Sequence, residues 1–174
     1  MKKLSKDQKK KALIISGVAT VLICLIMNLW IIPSINKQSV EGQKIFDMRP
    51  TGYSFDDAKY YVYSLSAEGN HIYRTRQLPL DFIYPVAYTA FFYLAIEKLF
   101  KNKKKLKYIA FVLPVFDYIE NIMVLCMLNF YGGTAMVQIS SIATIVKSLL
   151  MYVIFGILIV GVIKLLNERR YRKI

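Results

Sequence analysis

Residues 12–32 read ALIISGVATVLICLIMNLWII, a run of 21 residues without a charged side chain. A helix of about 20 apolar residues is long enough to cross the roughly 30 Å hydrocarbon core of a bilayer. Six lysines come before this run, and Pro33 follows it directly. The sequence therefore predicts a membrane-spanning helix that follows a basic segment and ends at Pro33.

Three further stretches have the length and composition of membrane spans, although each contains ionisable residues. They comprise residues 80–100, 108–131 and 134–166. Apolar residues make up 56% of the 174-residue chain and the mean hydropathy is +0.39, while the charges are concentrated between the apolar stretches. A soluble enzyme of this size would distribute its charges along its helices. We therefore predict an all-α integral membrane protein, a single domain over residues 1–174 that forms a four-transmembrane-helix bundle.

Basic residues are concentrated on one side of the four predicted spans. Residues 1–11, 98–107 and 164–173 hold 17 of the 24 lysines and arginines, whereas residues 33–79 hold six basic and five acidic residues. Because basic loops stay cytoplasmic, both termini are predicted to be cytoplasmic, in a membrane that the lysine-rich ends suggest is the bacterial cytoplasmic membrane. Topogenic charge that also touches anionic headgroups explains the net charge of +13. Specific binding of nucleic acid or of an anionic lipid is the less favoured alternative, and we expect no nucleic-acid partner.

The predicted extracytoplasmic segment, residues 33–79, is too long to be a simple turn. Ser54 and Asp57 have the spacing of a helix capping box, and apolar residues then recur at helical spacing. Tyrosines are frequent in this segment, and their amphipathic rings prefer the headgroup level of a membrane. We predict an amphipathic helix that ends near Gly69 and that lies on the outer leaflet or caps the bundle.

Polar side chains inside the predicted spans are the strongest functional signal. Asp117, Glu120 and Asn121 occupy positions i, i+3 and i+4, so they share one face of the third span. A charge near the bilayer centre costs on the order of 3 kcal/mol, so these groups should face the interior and have partners. We predict that Lys147 pairs with Glu120, and that Asp117 is protonated or hydrogen-bonded. For Lys147, a purely structural role in the bundle is an equal alternative.

Asp81, Tyr84 and Tyr88 share a face of the second span and can point toward the same region. The predicted ligand-binding residues are therefore Asp81, Tyr84, Tyr88, Asp117, Glu120, Asn121 and Lys147. Asn28 is the polar group that the first span contributes at this depth, where simple packing is the favoured interpretation.

The residue types present limit the chemistry that we expect. The sequence has one histidine and no cluster of histidines and cysteines, so we predict no metal site and no cofactor. Buried carboxylates could act as a general acid and base, but no catalytic residue is assigned. Glu97, near the inner end of the second span, is expected to form a surface salt bridge with Lys98 and Lys101.

The layout of four spans, cytoplasmic ends and carboxylates facing a membrane pocket resembles that of sterol-isomerase and sigma-2-receptor-type proteins. The resemblance is one of architecture and assigns no role to any residue. Our first hypothesis is a membrane pocket that binds, and in one version acts on, a lipidic or amphiphilic small molecule. The alternatives are a small proton-coupled transporter that acts as a homo-dimer, and a non-catalytic accessory membrane protein.

Overall fold

The computed structural model describes residues 5–40, 43–130 and 133–171, and every regular element within these ranges is helical. We number its seven α-helices α1 (Lys6–Ile26), α2 (Ile32–Asn36), α3 (Phe55–Ser64), α4 (Ala67–Ile72), α5 (Leu78–Leu99), α6 (Leu113–Phe130) and α7 (Thr134–Tyr171). Parts of the two terminal basic clusters, and residue 131 at the predicted end of the third span, lie outside the described residues.

Four continuous helical stretches are long and apolar enough to cross a membrane, as the sequence predicts. They are Lys6–Asn36, Ala67–Leu99, Leu106–Phe130 and Thr134–Glu168. In their most apolar windows, only 11% of the residues in the first and last stretches are buried, against 44% in the second. Large apolar side chains therefore remain exposed along α1 and α7, which is unusual for a soluble protein and typical of a lipid-facing surface.

Two of the long helices extend beyond the span boundaries predicted from the sequence, because π-helical turns join helices there. The π-helical turn Met27–Ile31 connects α1 to α2, and the turn Tyr73–Gln77 connects α4 to α5. Pro33 does not end the first long helix, since it lies just after the π-helical turn and the chain stays helical as far as Asn36. The second long helix accordingly begins at Ala67, well before residue 80.

The four long helices pack in two main pairs. α1 lies mainly against α5, and α6 mainly against α7, while α5 also contacts both α6 and α7. The end of the bundle that holds the start of α1 and the end of α5 is rich in lysine. Residues 43–66, which precede α4, fold over the opposite end.

We refer to residues 43–64, which comprise the 3₁₀ turn Phe46–Met48 and α3, as the cap. The ring of Phe46 is at its centre and contacts the rings of Tyr53 and Tyr61, with centroids 4.8 and 5.0 Å apart. Arg49 places its guanidinium group 5.1 Å from the Tyr61 ring centroid, a cation–π contact that fixes the turn. Burial raises the pKa of the Tyr61 hydroxyl. The amphipathic helix thus caps the bundle by burying one aromatic face in it.

The predicted capping box of α3 is present. Asp57 N–H donates to Ser54 Oγ at 3.1 Å, and Ser54 N–H donates to Asp57 Oδ2 at 3.0 Å. The helix ends at Ser64 and not near Gly69, because Ser66 begins a new helix by accepting a hydrogen bond from the Gly69 N–H.

Breaking this capping box should destabilise the protein in a pH-dependent way. Hydrogen bonds from the Ser54 side chain and backbone lower the pKa of Asp57, so the folded state favours the carboxylate. That stabilisation is present above the ordinary aspartate pKa of about 3.9 and is lost as the pH falls through the lowered value. Asp57→Asn should therefore cost about 1 kcal/mol near pH 6, the usual worth of a cap, and less near pH 3.

Denaturant titrations of the detergent-solubilised chain at the two pH values measure this difference. Asp56→Asn is the matched control, because Asp56 is exposed in the same helical turn and takes no part in the capping box. Equal pH dependence of stability in wild type and Asp57→Asn would contradict the prediction.

Candidate functional site

The ammonium group of Lys147, on α7, is the centre of a buried group of charges. It lies 2.9 Å from an oxygen of Asp47 and 3.2 Å from an oxygen of Asp117, and it also pairs with Glu120. Asp117 and Glu120 belong to α6, whereas Asp47 belongs to the cap. We refer to these four residues as the ionic cluster. Because buried charges are costly without partners, the cluster ties α6, α7 and the cap together.

The geometry of α6 places two carboxylates on Lys147. Asp117 and Glu120 are three residues apart, so they share a helix face, and both are buried against α7. The predicted pair of Lys147 with Glu120 is present in the structure. Asp117 is hydrogen-bonded as predicted, since Tyr88 on α5 donates its hydroxyl to Asp117 Oδ2 at 2.8 Å. Three long helices therefore meet at the cluster.

Hydroxyl groups on α7 connect the cluster to the cap. Thr144 Oγ1 donates to Glu120 Oε1 at 2.6 Å, and the Tyr53 hydroxyl donates to Ser140 Oγ at 2.7 Å. The Tyr53 backbone N–H also donates to Ser141 Oγ at 2.9 Å. Burial raises the pKa of Tyr53, so its hydroxyl keeps the proton that it donates. These small polar residues of α7 therefore hold the cap segment that carries Asp47.

The remaining predicted site residues lie beside the cluster. Gln77 Nε2 donates to Asp81 Oδ2 at 2.9 Å, and Asn121 Nδ2 donates to the backbone carbonyl of Asp81 at 3.0 Å. The ring of Tyr84 contacts that of Tyr88 edge to face, with centroids 5.1 Å apart. Within the described residues, Asp81 forms no salt bridge. The structure thus joins Tyr88, Asp117, Glu120 and Lys147 directly and places Asp81, Tyr84 and Asn121 around them.

Two amide oxygens in this surrounding layer lack donors. Asn121 Oδ1 and Gln77 Oε1 are buried and have no hydrogen-bond partner among the described residues. Both amides use their nitrogen on Asp81, one on its carboxylate and one on its backbone carbonyl. The region around Asp81 therefore contains more acceptors than donors, and a buried acceptor without a partner costs free energy.

Sequence reasoning missed Asp47, which has no periodic pattern and belongs to an irregular segment. The one signal is that it is acidic while its neighbours Ile45, Phe46 and Met48 are apolar. The structure supports neither packing against another helix nor a site role for Asn28, because its side chain is exposed and donates to the carbonyl of Cys24, one turn earlier on the same helix.

The partners predicted for Glu97 are also wrong. Its carboxylate pairs with Lys9, at 2.7 Å, and with Lys107. Lys98 is the next residue on α5, and side chains at i and i+1 do not face each other on a helix. Lys101 follows the end of α5, while Lys9 and Lys107 approach from α1 and from the 3₁₀ turn Leu106–Phe111.

Three carboxylates at this spacing also match the ligand set of a hard metal ion. Oxygens of Asp47, Asp117 and Glu120 lie within 4.8 Å of one another. The ammonium group of Lys147 contacts all three side chains, so a divalent ion would have to compete with it for the same oxygens. The cluster contains its own counter-ion, and we assign no metal to it.

The comparisons with known proteins leave the site to be interpreted from its own geometry. No protein-family model matches the chain, and neither does a curated protein or a solved structure.

Proposed function

We propose that this chain is a multi-pass membrane protein whose ionic cluster binds the polar headgroup of a lipidic or amphiphilic molecule, and that an amine headgroup is preferred. One observation carries the proposal: among the residues that the structure describes, three carboxylates share a single ammonium group. Packing of a helix bundle requires each buried charge to have a partner, but it does not require three anions around one cation. The unequal number of charges points to a further positive group.

The membrane setting of the proposal rests on the four long apolar helices and on their exposed apolar faces. With the basic clusters in the cytoplasm, the cap lies on the outer side of the membrane. The ionic cluster is then in the outer half of the bundle, directly beneath the cap. An amphiphile in the outer leaflet could place its headgroup in the cluster while its chain stays in the lipid.

Electrostatics favours a cationic headgroup over an anionic one. With every group ionised, the cluster carries three negative charges and one positive charge, and like charges at this distance in a low dielectric disfavour each other. A primary ammonium group adds a positive charge and three N–H donors. The acceptors near Asp81, among them Asn121 Oδ1, lack such donors in the part of the chain that the structure describes. A carboxylate or phosphate headgroup would instead add to the excess of negative charge and to the excess of hydrogen-bond acceptors.

Asp47 marks the side from which a headgroup would enter. Its side chain is 18% exposed, against 9% for Asp117 and complete burial for Glu120. It is also the cluster member that belongs to the cap and not to a long helix. A small displacement of the cap would therefore open the cluster without separating α6 from α7.

Three single-chain amphiphiles of equal length test the proposed preference. We expect dodecylamine, below its micellar concentration, to bind the detergent-solubilised full chain saturably and to raise its thermal midpoint. Dodecanol and dodecanoate should do neither, because they supply no positive charge. Asp117→Asn combined with Glu120→Gln should weaken dodecylamine binding at least tenfold, because it removes the excess negative charge.

Asp56→Asn is the matched control, because it removes a carboxylate from the exposed surface of the cap and should leave binding unchanged. Stabilisation by dodecanoate equal to that by dodecylamine would contradict the headgroup preference. Unchanged dodecylamine binding in the Asp117 and Glu120 double variant would contradict the site.

One observation favours proton-coupled transport as a second function. A continuous polar path runs from Tyr88 through Asp117 and Lys147 to Asp47, with successive contacts of 2.8, 3.2 and 2.9 Å. Such a path could carry protons between the bundle interior and the cap, and transport by so few helices would require a second copy of the chain. Uptake driven by a pH gradient in proteoliposomes, lost in Asp117→Asn, would favour this function. If neither dodecylamine binding nor pH-driven uptake depends on the ionic cluster, the results would favour the third hypothesis, a non-catalytic accessory membrane protein.

A further inference from the structure

A second charged region lies at the lysine-rich end of the bundle, far from the ionic cluster. It is a cavity of about 1020 Å³ between the start of α1, the end of α5 and the loop that follows α5. Nine lysines and two acidic residues, Asp7 and Glu97, line the cavity, which gives it a net charge of +7. Leu13 and Leu94 contribute apolar surface from the two helices. The cavity therefore combines strong positive charge with a hydrocarbon wall.

Glu97 fixes the walls of this cavity relative to one another. Its carboxylate pairs with Lys9 of α1 and with Lys107, so it joins three segments of the chain. The ammonium group of Lys107 also lies 4.6 Å from the ring centroid of Tyr93 on α5. An ion pair and a cation–π contact on one lysine hold the loop against the helices. The concave shape is thus built by specific contacts and does not depend on the loop alone.

Most of the positive charge in the cavity has no internal partner. Lys9 and Lys107 are the lining lysines that form salt bridges within the described residues, and both use Glu97. The other seven lining lysines form none there, and four of them belong to the loop: Lys101, Lys103, Lys104 and Lys105. Gathering this many like charges is unfavourable unless an anion shares the space. Topogenic charge explains the number of lysines, but not their arrangement around a cavity that also has an apolar wall.

We propose that this cavity binds the phosphate headgroup of an anionic membrane lipid. Phosphate groups carry the charge and the acceptor oxygens that several ammonium groups require. The volume exceeds that of one phosphate ion, and Leu13 and Leu94 offer surface that suits the start of an acyl chain. The location beside the ends of two membrane-length helices places the headgroup at an interface with the bilayer. The lysine ammonium groups, the volume of the cavity and its apolar wall together favour a lipid over a soluble phosphate.

Lipid binding to the purified full chain in a neutral detergent tests this proposal. We expect saturable binding of phosphatidylglycerol and of cardiolipin, with affinity that falls as salt is added, and no saturable binding of phosphatidylcholine. Neutralising four loop lysines to glutamine (Lys101, Lys103, Lys104 and Lys105) should weaken binding of both anionic lipids at least tenfold. The control replaces four cations at the opposite end of the bundle with glutamines: Lys37, Lys44, Lys59 and Arg76.

The cavity can also be blocked without a change of charge. Leu13→Trp adds a large ring to its wall and keeps all nine lysines, so membrane topology should not change. It should weaken anionic lipid binding as the loop variant does. Equal weakening by the loop and control variants, or unchanged binding in Leu13→Trp, would show non-specific attraction and overturn the proposal. Full displacement of lipid by inorganic pyrophosphate at micromolar concentration would assign the cavity to a soluble phosphate instead.

Discussion

Replacing Lys147 with methionine should lower the free energy of unfolding by about 3–5 kcal/mol, the usual cost of removing one partner from buried charge pairs. Asp47, Asp117 and Glu120 would share a buried site without any cation. Methionine keeps most of the length and apolar volume of the lysine stem, so a packing defect contributes little. Denaturant unfolding of the purified chain measures the change.

The control for this variant is Lys164→Met, which removes an exposed lysine from the same helix. It should change stability by less than about 0.5 kcal/mol, as surface substitutions usually do. Adding Asp47→Asn, Asp117→Asn and Glu120→Gln to Lys147→Met should restore much of the lost stability, since no unpaired charge then remains. A Lys147→Met variant as stable as Lys164→Met would contradict the description of the cluster.

Helical periodicity and hydropathy were sufficient to predict most of this cluster. The four apolar stretches predicted the long helices, because the apolar length that a span requires is a local property of sequence. Asp117 and Glu120 share a face at any helix position, so their common orientation followed from their spacing alone. The pair of Glu120 with Lys147 then followed from the need of a buried charge for a partner. Their role as ligand-binding residues stays a prediction.

Tertiary features were harder to predict, for physical reasons that differ between residues. Asp47 is in an irregular turn, and its contact with Lys147 depends on how the cap folds back over the bundle. The sequence places Asn28 at a similar depth to Lys147, but its side chain lies on an exposed helix face and bonds to its own helix. Glu97 has several lysines nearby in sequence, and helix packing selects Lys9, from another helix, as one partner. The spacing of residues in the sequence indicates which of them share a face of one helix. It does not determine which residues of different helices or turns come into contact.

Replacing Gly52 with alanine should destabilise the cap by about 2–4 kcal/mol, through backbone strain and through overpacking. Gly52 has a φ of +81°, a conformation that residues with a Cβ rarely adopt. An added Cβ would lie 2.6 Å from Ser141 Oγ and 2.8 Å from Ile145 Cδ1 on α7. Both contacts are too close, so either the turn that precedes Tyr53 or the side chains of Ser141 and Ile145 must shift, and a shift of Ser141 Oγ would weaken its hydrogen bond with the Tyr53 N–H.

Gly156→Ala is the matched control for this variant. Gly156 lies within α7, and a Cβ added there meets no atom of the described residues within 4 Å. Alanine favours a helix over glycine by up to about 1 kcal/mol, so the control should be neutral or slightly stabilising. Thermal unfolding of the two variants in one detergent compares them. Equal stability of Gly52→Ala and wild type would show that the cap does not approach α7 as closely as described.

Everything proposed for the cluster depends on Asp47 from the cap meeting Lys147 from α7, one hundred residues apart in the chain. A double-mutant cycle measures that contact, with unfolding free energies of wild type, Asp47→Asn, Lys147→Met and the double variant. We expect Asp47→Asn to destabilise the wild type and to stabilise the Lys147→Met background, where it removes an unpaired carboxylate. The coupling should then exceed about 1 kcal/mol. Effects that add to within about 0.5 kcal/mol would show that the two side chains do not meet.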